Sequence, residues 1–245
     1  MSRYGTRRAD TVHEVLRRRE GVALVATILI LLILSAIGLG LSLTTSLEPA
    51  ASANYECAWR VRYGAESGVA AAAHDLTAAD LWDDALAGRS PLGHLTAVPA
   101  EIVMPDGRRL ALSTLTNLAN CGAESACSDA ALTAFTADRP WGPNNPRWQP
   151  VGMLRVEELE PGQPGAAAVV VIVWVGDDPA ELDGNPLRDT EPAASGAGTP
   201  GACVVSIRAE AFSIRAAHRT VTATVARSGP GCWPGPRIVS WRTTP

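Results

Sequence analysis

The sequence predicts an α+β protein, with one long N-terminal helix followed by an antiparallel β-sheet laid on it. Three observations predict this. Residues 22–43 form an uncharged apolar run, and the chain after it continues at helical spacing. From residue 89 onward the apolar period drops from three and four to two, the period of strands. Runs of turn formers such as Pro105-Asp106-Gly107 separate the apolar stretches and join them as hairpins.

The apolar run comes first. A helix of about 22 residues is roughly 33 Å long, enough to cross a hydrocarbon core of about 30 Å. Arg7, Arg8, Arg17, Arg18 and Arg19 precede it, and no arginine follows until Arg60. That asymmetry predicts a single span with a cytoplasmic N-terminus and an exported remainder. A secretory signal has a shorter apolar region and a small-residue cleavage site on its far side. Here the small residue, Gly21, lies on the near side, directly after Arg17-Arg18-Arg19-Glu20.

Basic residues, then Glu-Gly, then a long apolar helix resemble the class III leader of type IV prepilins. The run Gly-Val-Ala-Leu-Val-Ala-Thr-Ile-Leu-Ile-Leu-Leu from Gly21 is similar to the start of PilX-type minor pilins. The resemblance implies that a prepilin peptidase cuts after Gly21 and that Val22 becomes the N-methylated terminal residue. It also implies a pilin-like fold, in which the helix packs on a β-rich head. Residues 1–21 would then be a cytoplasmic leader, 22–43 a transmembrane helix, 44–87 its amphipathic extension and 88–245 the head. The fifth mature position, a glutamate in most major pilins, is Ala26 here. Its absence is typical of PilX-like and GspK-like minor subunits and implies one docking contact fewer.

Beyond the span, Pro49 predicts a kink or break near Ser46. Tyr55, Ala58, Arg62, Ala65, Val69, Ala72 and Leu76 then share one helical face. The stretch Arg62-Tyr63-Gly64-Ala65-Glu66-Ser67-Gly68-Val69 resembles the Ala-Glu-x-Gly segment that follows the span in PilX-like proteins and pseudopilins. Residues 70–73, all alanine, form a smooth surface for a sheet, and Glu66 reads as a solvated or paired helix charge. Gly88, with Pro91 beyond it, marks the expected helix end.

In the head, residues 101–104 and 109–115 read as a hairpin. Further strands are expected at 153–159, 167–175, 203–212, 219–227 and 237–241. Residues 169–175 are nearly all β-branched, the mark of a central buried strand. Residues 117–129, 138–150 and 177–201 read as loops.

Net charge is −4, and all 21 positive side chains are arginine. No basic surface points to nucleic acid. If the head is exported, its cysteines can pair. Cys121 and Cys127 are near enough for a small loop. Cys203 and Cys232 flank the last hairpin, and Cys57 is left as the odd thiol, with pairing open at the level of sequence. The five-residue gap between Cys121 and Cys127 is wrong for a zinc ribbon. Asp177-Asp178 with Asp183-Gly184-Asn185 is the one acidic oxygen cluster in the sequence that could suit calcium. It lacks the spacing of an EF-hand, so a solvated turn is expected. No hydrolase, Walker or His-Glu-x-x-His pattern occurs, so no enzyme, cofactor or metal is expected.

The functional expectation is a minor type IV pilus subunit in the bacterial inner membrane, incorporated into or priming the filament. Its expected partners are other pilins through the N-terminal helix, prepilin peptidase, the inner-membrane assembly platform and the lipid bilayer. The alternatives are a GspK-like pseudopilin of a type II secretion system and an unprocessed, membrane-anchored periplasmic binding domain.

Overall fold

The computed structural model describes residues 7–78, 82–89, 92–156, 169–181, 183–189, 201–214, 216–227, 232 and 237–244. It divides into two compact units, residues 1–55 and 56–245. The expected strand residues 157–159 and 167–168, and the link at 215, lie outside the described residues.

The first unit is the N-terminal part of helix α1, which runs Arg7–Ala78. Every residue from 21 to 43 is exposed, and among the described residues this is the one helix long and apolar enough to cross a membrane. The break expected near Ser46 does not occur, because α1 is continuous through Pro49. A proline removes one backbone donor from the ladder, and the bonds on either side carry the helix past it. The nearby Thr45 hydroxyl also bonds back to the carbonyl of Leu41 at 3.0 Å.

In the second unit, α1 ends at Ala78 and a separate short helix α2 follows at Trp82–Leu86, where one helix to about residue 87 is expected from sequence. The buried Trp82 indole donates to the carbonyl of Leu76 at 2.7 Å. That carbonyl is one a longer helix would give to a backbone N–H. Gly88, at φ +66°, stops α2.

Five antiparallel strands form the main sheet in the order β3-β4-β5-β6-β7: Gln149–Arg155, Val169–Asp177, Val204–Ser213, His218–Ala226 and Arg237–Thr244. Strand β4 is buried along its whole length between β3 and β5, as its β-branched run requires. One face of the sheet receives the last third of α1. Cys57, Val61, Ala65, Val69, Ala72 and Leu76 pack there against Val169, Val171, Val173, Ile207, Ala209, Val221 and Ala223. The closest approach is at two glycines. A Cβ added to Gly68 would lie 2.8 Å from Val171 Cγ1, and one added to Gly64 would lie 3.1 Å from Val169 Cγ1. Glu66 points away and pairs with Arg62 at 2.9 Å.

The other face carries a second layer. Strands β1 (Glu101–Val103) and β2 (Arg109–Ala111) form the expected hairpin, with Gly107 at φ +84° in its turn. The expected continuation of the second strand to residue 115 is helical instead. Helix α3 spans Leu112–Cys121 and takes in the first part of the expected loop 117–129. Leu112 and Leu115, three residues apart, both pack on the second core of Ile102, Met104, Trp148, Met153, Ile172 and Trp174. A strand would send residues at odd spacing to opposite faces. Three hydrogen bonds fix α3. Trp174 Nε1 donates to Thr116 Oγ1 at 3.0 Å, and Asn120 exchanges bonds with the Trp148 backbone at 2.7 and 3.0 Å. Helix α4 (Asp129–Leu132) and a 3₁₀ turn at Gly142–Asn144 lie in the remaining connections.

Candidate functional site

Gly21 and Val22 lie inside α1 in the first unit. A Cβ at Gly21 would meet nothing within 4 Å, Val22 is 70% exposed, and its apolar successors along the run are exposed too. Ala26 is exposed on the same helix. The peptide between Gly21 and Val22 therefore carries no packing that would hinder approach.

The second unit brings together the four head cysteines in two bridges. Cys121 and Cys127 are joined with Cα atoms 6.0 Å apart, and Cys203 and Cys232 with Cα atoms 5.7 Å apart. Cys57 is free and buried, and its Sγ lies 3.0 Å from Ser213 Oγ. That burial shields the thiol from solvent.

Beneath Cys203 lies a cluster the sequence does not announce. Asp177 ends β4, Glu181 follows in the next turn, and Asp189 comes from the loop before β5. One carboxylate oxygen from each lies within 4.8 Å of the others, and all three residues are buried. The solvated turn expected at residues 177–185 is thus corrected in part. Asp183 is exposed and accepts from Asn185 N at 2.7 Å, but Asp177 is turned inward and joins Glu181 and Asp189. The sequence gives no spacing signal for this set. Its counter-charge, Arg227, arrives from the far end of β6 and lies 2.9 Å from Asp189 Oδ2, as an ion pair without a directed hydrogen bond. Asp189 Oδ1 accepts from Cys203 N at 2.8 Å, so the carboxylate ties the loop to the bridge. The Arg227 guanidinium also lies 5.2 Å from the Trp82 ring centre, which ties α2 to the same hub.

Burial pushes the Asp177 carboxyl up to about 9, and the negative charge and hydrogen bond of Glu181 add to the rise. Burial likewise pushes Asp189 up to about 7, against the pull of Arg227 and Cys203 N. At neutral pH the hub therefore holds a proton at Asp177. Three carboxylates are a donor set that suits a hard divalent cation, with Arg227 already on one oxygen of Asp189.

A second buried carboxylate, Glu210 on β5, is arranged the opposite way. Burial pushes it up, but the hydrogen bond from His218 and the charge and bond of Arg208 outweigh this and hold it below the usual carboxylate range. His94 pairs with Asp75 and meets His74 edge to face with ring centres 4.9 Å apart, whereas His218 pairs with Glu210. Comparison of the chain with protein-family models, curated proteins and solved structures finds no match.

Proposed function

We propose that this protein is a PilX-like minor subunit of a type IV pilus, held in the inner membrane by residues 22–43 and incorporated into or priming the filament. One observation carries the reading. An arginine cluster, then Glu20-Gly21, stands directly before an exposed, uncharged helix, with the Gly21–Val22 peptide unobstructed. A second supports it. The Ala-Glu-x-Gly segment is the part of α1 where Gly64 and Gly68 meet β4, which gives those small residues a packing reason in a helix-on-sheet head. The N-terminus lies in the cytoplasm and the head is exported, where the two bridges persist. The partners are other pilins along α1, prepilin peptidase, the assembly platform and lipid. Ala26 brings no carboxylate into the bilayer, so the subunit depends on those partners and forms no fibres alone. A GspK-like pseudopilin is the second reading. The helical layer α3 and α4 favours it, but at ten and four residues that layer is a small insertion.

The test is the mass of the N-terminus after co-expression with a prepilin peptidase. A chain starting at methylated Val22 is expected. A chain still starting at Met1 or Ser2 overturns the reading in favour of an unprocessed anchor.

A further inference from the structure

The link between α2 and β1 is strapped onto β3. Leu92 and Leu95 are buried, Leu92 N donates to Val151 O at 3.3 Å, and Thr96 exchanges backbone bonds with Met153 at 2.8 and 3.0 Å. The fit is close, because a Cβ added to Gly152 would collide with Leu95. Between the two leucines the strap turns outward and exposes His94. One carboxylate holds that residue by both its backbone and its ring. Asp75, in the last turn of α1, accepts from His94 N at 2.8 Å through Oδ2 and bonds His94 Nδ1 through Oδ1. The Asp75 side chain is 10% exposed and the His94 ring 62%.

An ionised carboxylate only accepts, so Nδ1 carries the ring proton and His94 Nε2 keeps its lone pair. Next to Asp75 on α1, His74 brings a second imidazole to the same place, with ring centres 4.9 Å apart and planes at 76°. Two imidazoles that share one metal ion, each with a nitrogen about 2.0–2.1 Å from it, have ring centres about 5 Å apart. Asp75 fixes the His94 ring, so His74 is the one that turns to complete the pair, about χ2, a soft torsion. A histidine that keeps one hydrogen-bond partner still has its other nitrogen for an ion, which is how metal-bound histidines are ordinarily held. We propose that His74 and His94 form a surface site for a zinc ion, with Asp75 as the positioning residue behind His94. Water fills the remaining positions on the ion. Imidazole selects zinc over calcium and magnesium, which prefer oxygen donors. Once bound, the ion adds a second tie between α1 and the strap over β3, beside the one that Asp75 makes. The inference does not depend on the pilus reading or on removal of the leader.

The full chain, without an added histidine tag, is stripped of metal in detergent micelles and titrated with zinc against a chromogenic zinc indicator. One equivalent is expected to bind with micromolar affinity and to stay bound in excess calcium or magnesium. His74→Ala, His94→Ala and Asp75→Asn are each expected to weaken binding by about 10–100-fold. Copper(II) then reports the ligands by electron paramagnetic resonance. The parent is expected to show coupling to two nitrogens and His74→Ala to one. Asp75→Asn places an N–H where the His94 ring needs an acceptor, which moves the ring proton to Nε2, so it too is expected to lose one coupling. His74 is exposed on a helix, so His74→Ala keeps the test if either of the other variants fails to fold. No zinc binding by the parent, unchanged binding in His74→Ala, or coupling to a single nitrogen in the parent overturns the proposal. So does binding that survives both histidine changes and is lost in Asp177→Asn, because the ion would then sit in the buried carboxylate hub.

Discussion

Replacing Gly68 tests the contact that defines the helix-on-sheet packing. In Gly68→Ala the new Cβ falls 2.8 Å from Val171 Cγ1, 3.2 Å from Val173 Cγ2 and 3.3 Å from Ala209 Cβ. Separations below about 3.0 Å force something to move, and none of these neighbours can swing away. Val171 and Val173 are fully buried, and β-branched side chains are stiff at χ1. The helix or the strand must shift, an overpacking cost of about 1–3 kcal/mol. Against this, alanine gains about 1 kcal/mol of helix propensity over glycine. The net expectation for Gly68→Ala is a loss of about 1 kcal/mol. Gly68→Val forfeits the propensity gain and adds two methyls to the same wall, for a loss of about 3 kcal/mol or more. Gly64→Ala, with its nearest contacts at 3.1 and 3.2 Å, should come out near neutral. For a domain of this size about 1 kcal/mol moves Tm by roughly 2–4 °C. Gly68→Val should therefore unfold roughly 6–12 °C below the parent when the melt is followed by tryptophan fluorescence. The ordering Gly68→Val, Gly68→Ala, Gly64→Ala is the diagnostic. A Gly68→Val protein melting within about 2 °C of the parent would show that α1 does not approach β4 this closely, and the packing argument would fail.

Four further expectations follow from the hub and the bridges. Asp177 and Asp189 hold protons in the folded state that the unfolded chain, with ordinary carboxyls near 4, has already lost. The native state thus binds more protons, and stability falls as pH rises from about 4, through about 7 for Asp189 and about 9 for Asp177. Urea midpoints measured from pH 5 to 9 should decline, and Asp177→Asn should flatten the decline. A steeper slope in that variant would refute the assignment. Trp82 is buried, bonded to Leu76 and stacked on Arg227, so Trp82→Ala should cost about 3–5 kcal/mol by chemical denaturation. Non-reducing peptide maps should show Cys121 with Cys127, Cys203 with Cys232, and Cys57 alkylated only after unfolding. By loop entropy the bridge spanning 29 positions should stabilise about 1.4 kcal/mol more than the one spanning six, which paired Cys→Ala melts would read.

The apolar run at 22–43, the helical face through Leu76 and the buried β4 were legible in the residues, because each is a local pattern whose period or polarity no distant contact needs to complete. Helix α3 was not legible beyond Ala111, since Leu112 and Leu115 suit a short strand in composition. What decided it was a second core reached from the far side of the sheet, with Trp174 bonding Thr116 across 58 positions. Likewise Pro49 announces a break, but one missing donor does not end a helix that has turns on both sides. The hub lay furthest from view. Asp177, Glu181, Asp189 and Arg227 share no spacing, and they meet because β4 ends and β5 begins at the same end of the sheet where β6 delivers its last arginine. A sequence carries its own periodicity and charge. Which distant carboxylates lose their water together is decided by strand order and register, and those exist only once the chain has folded.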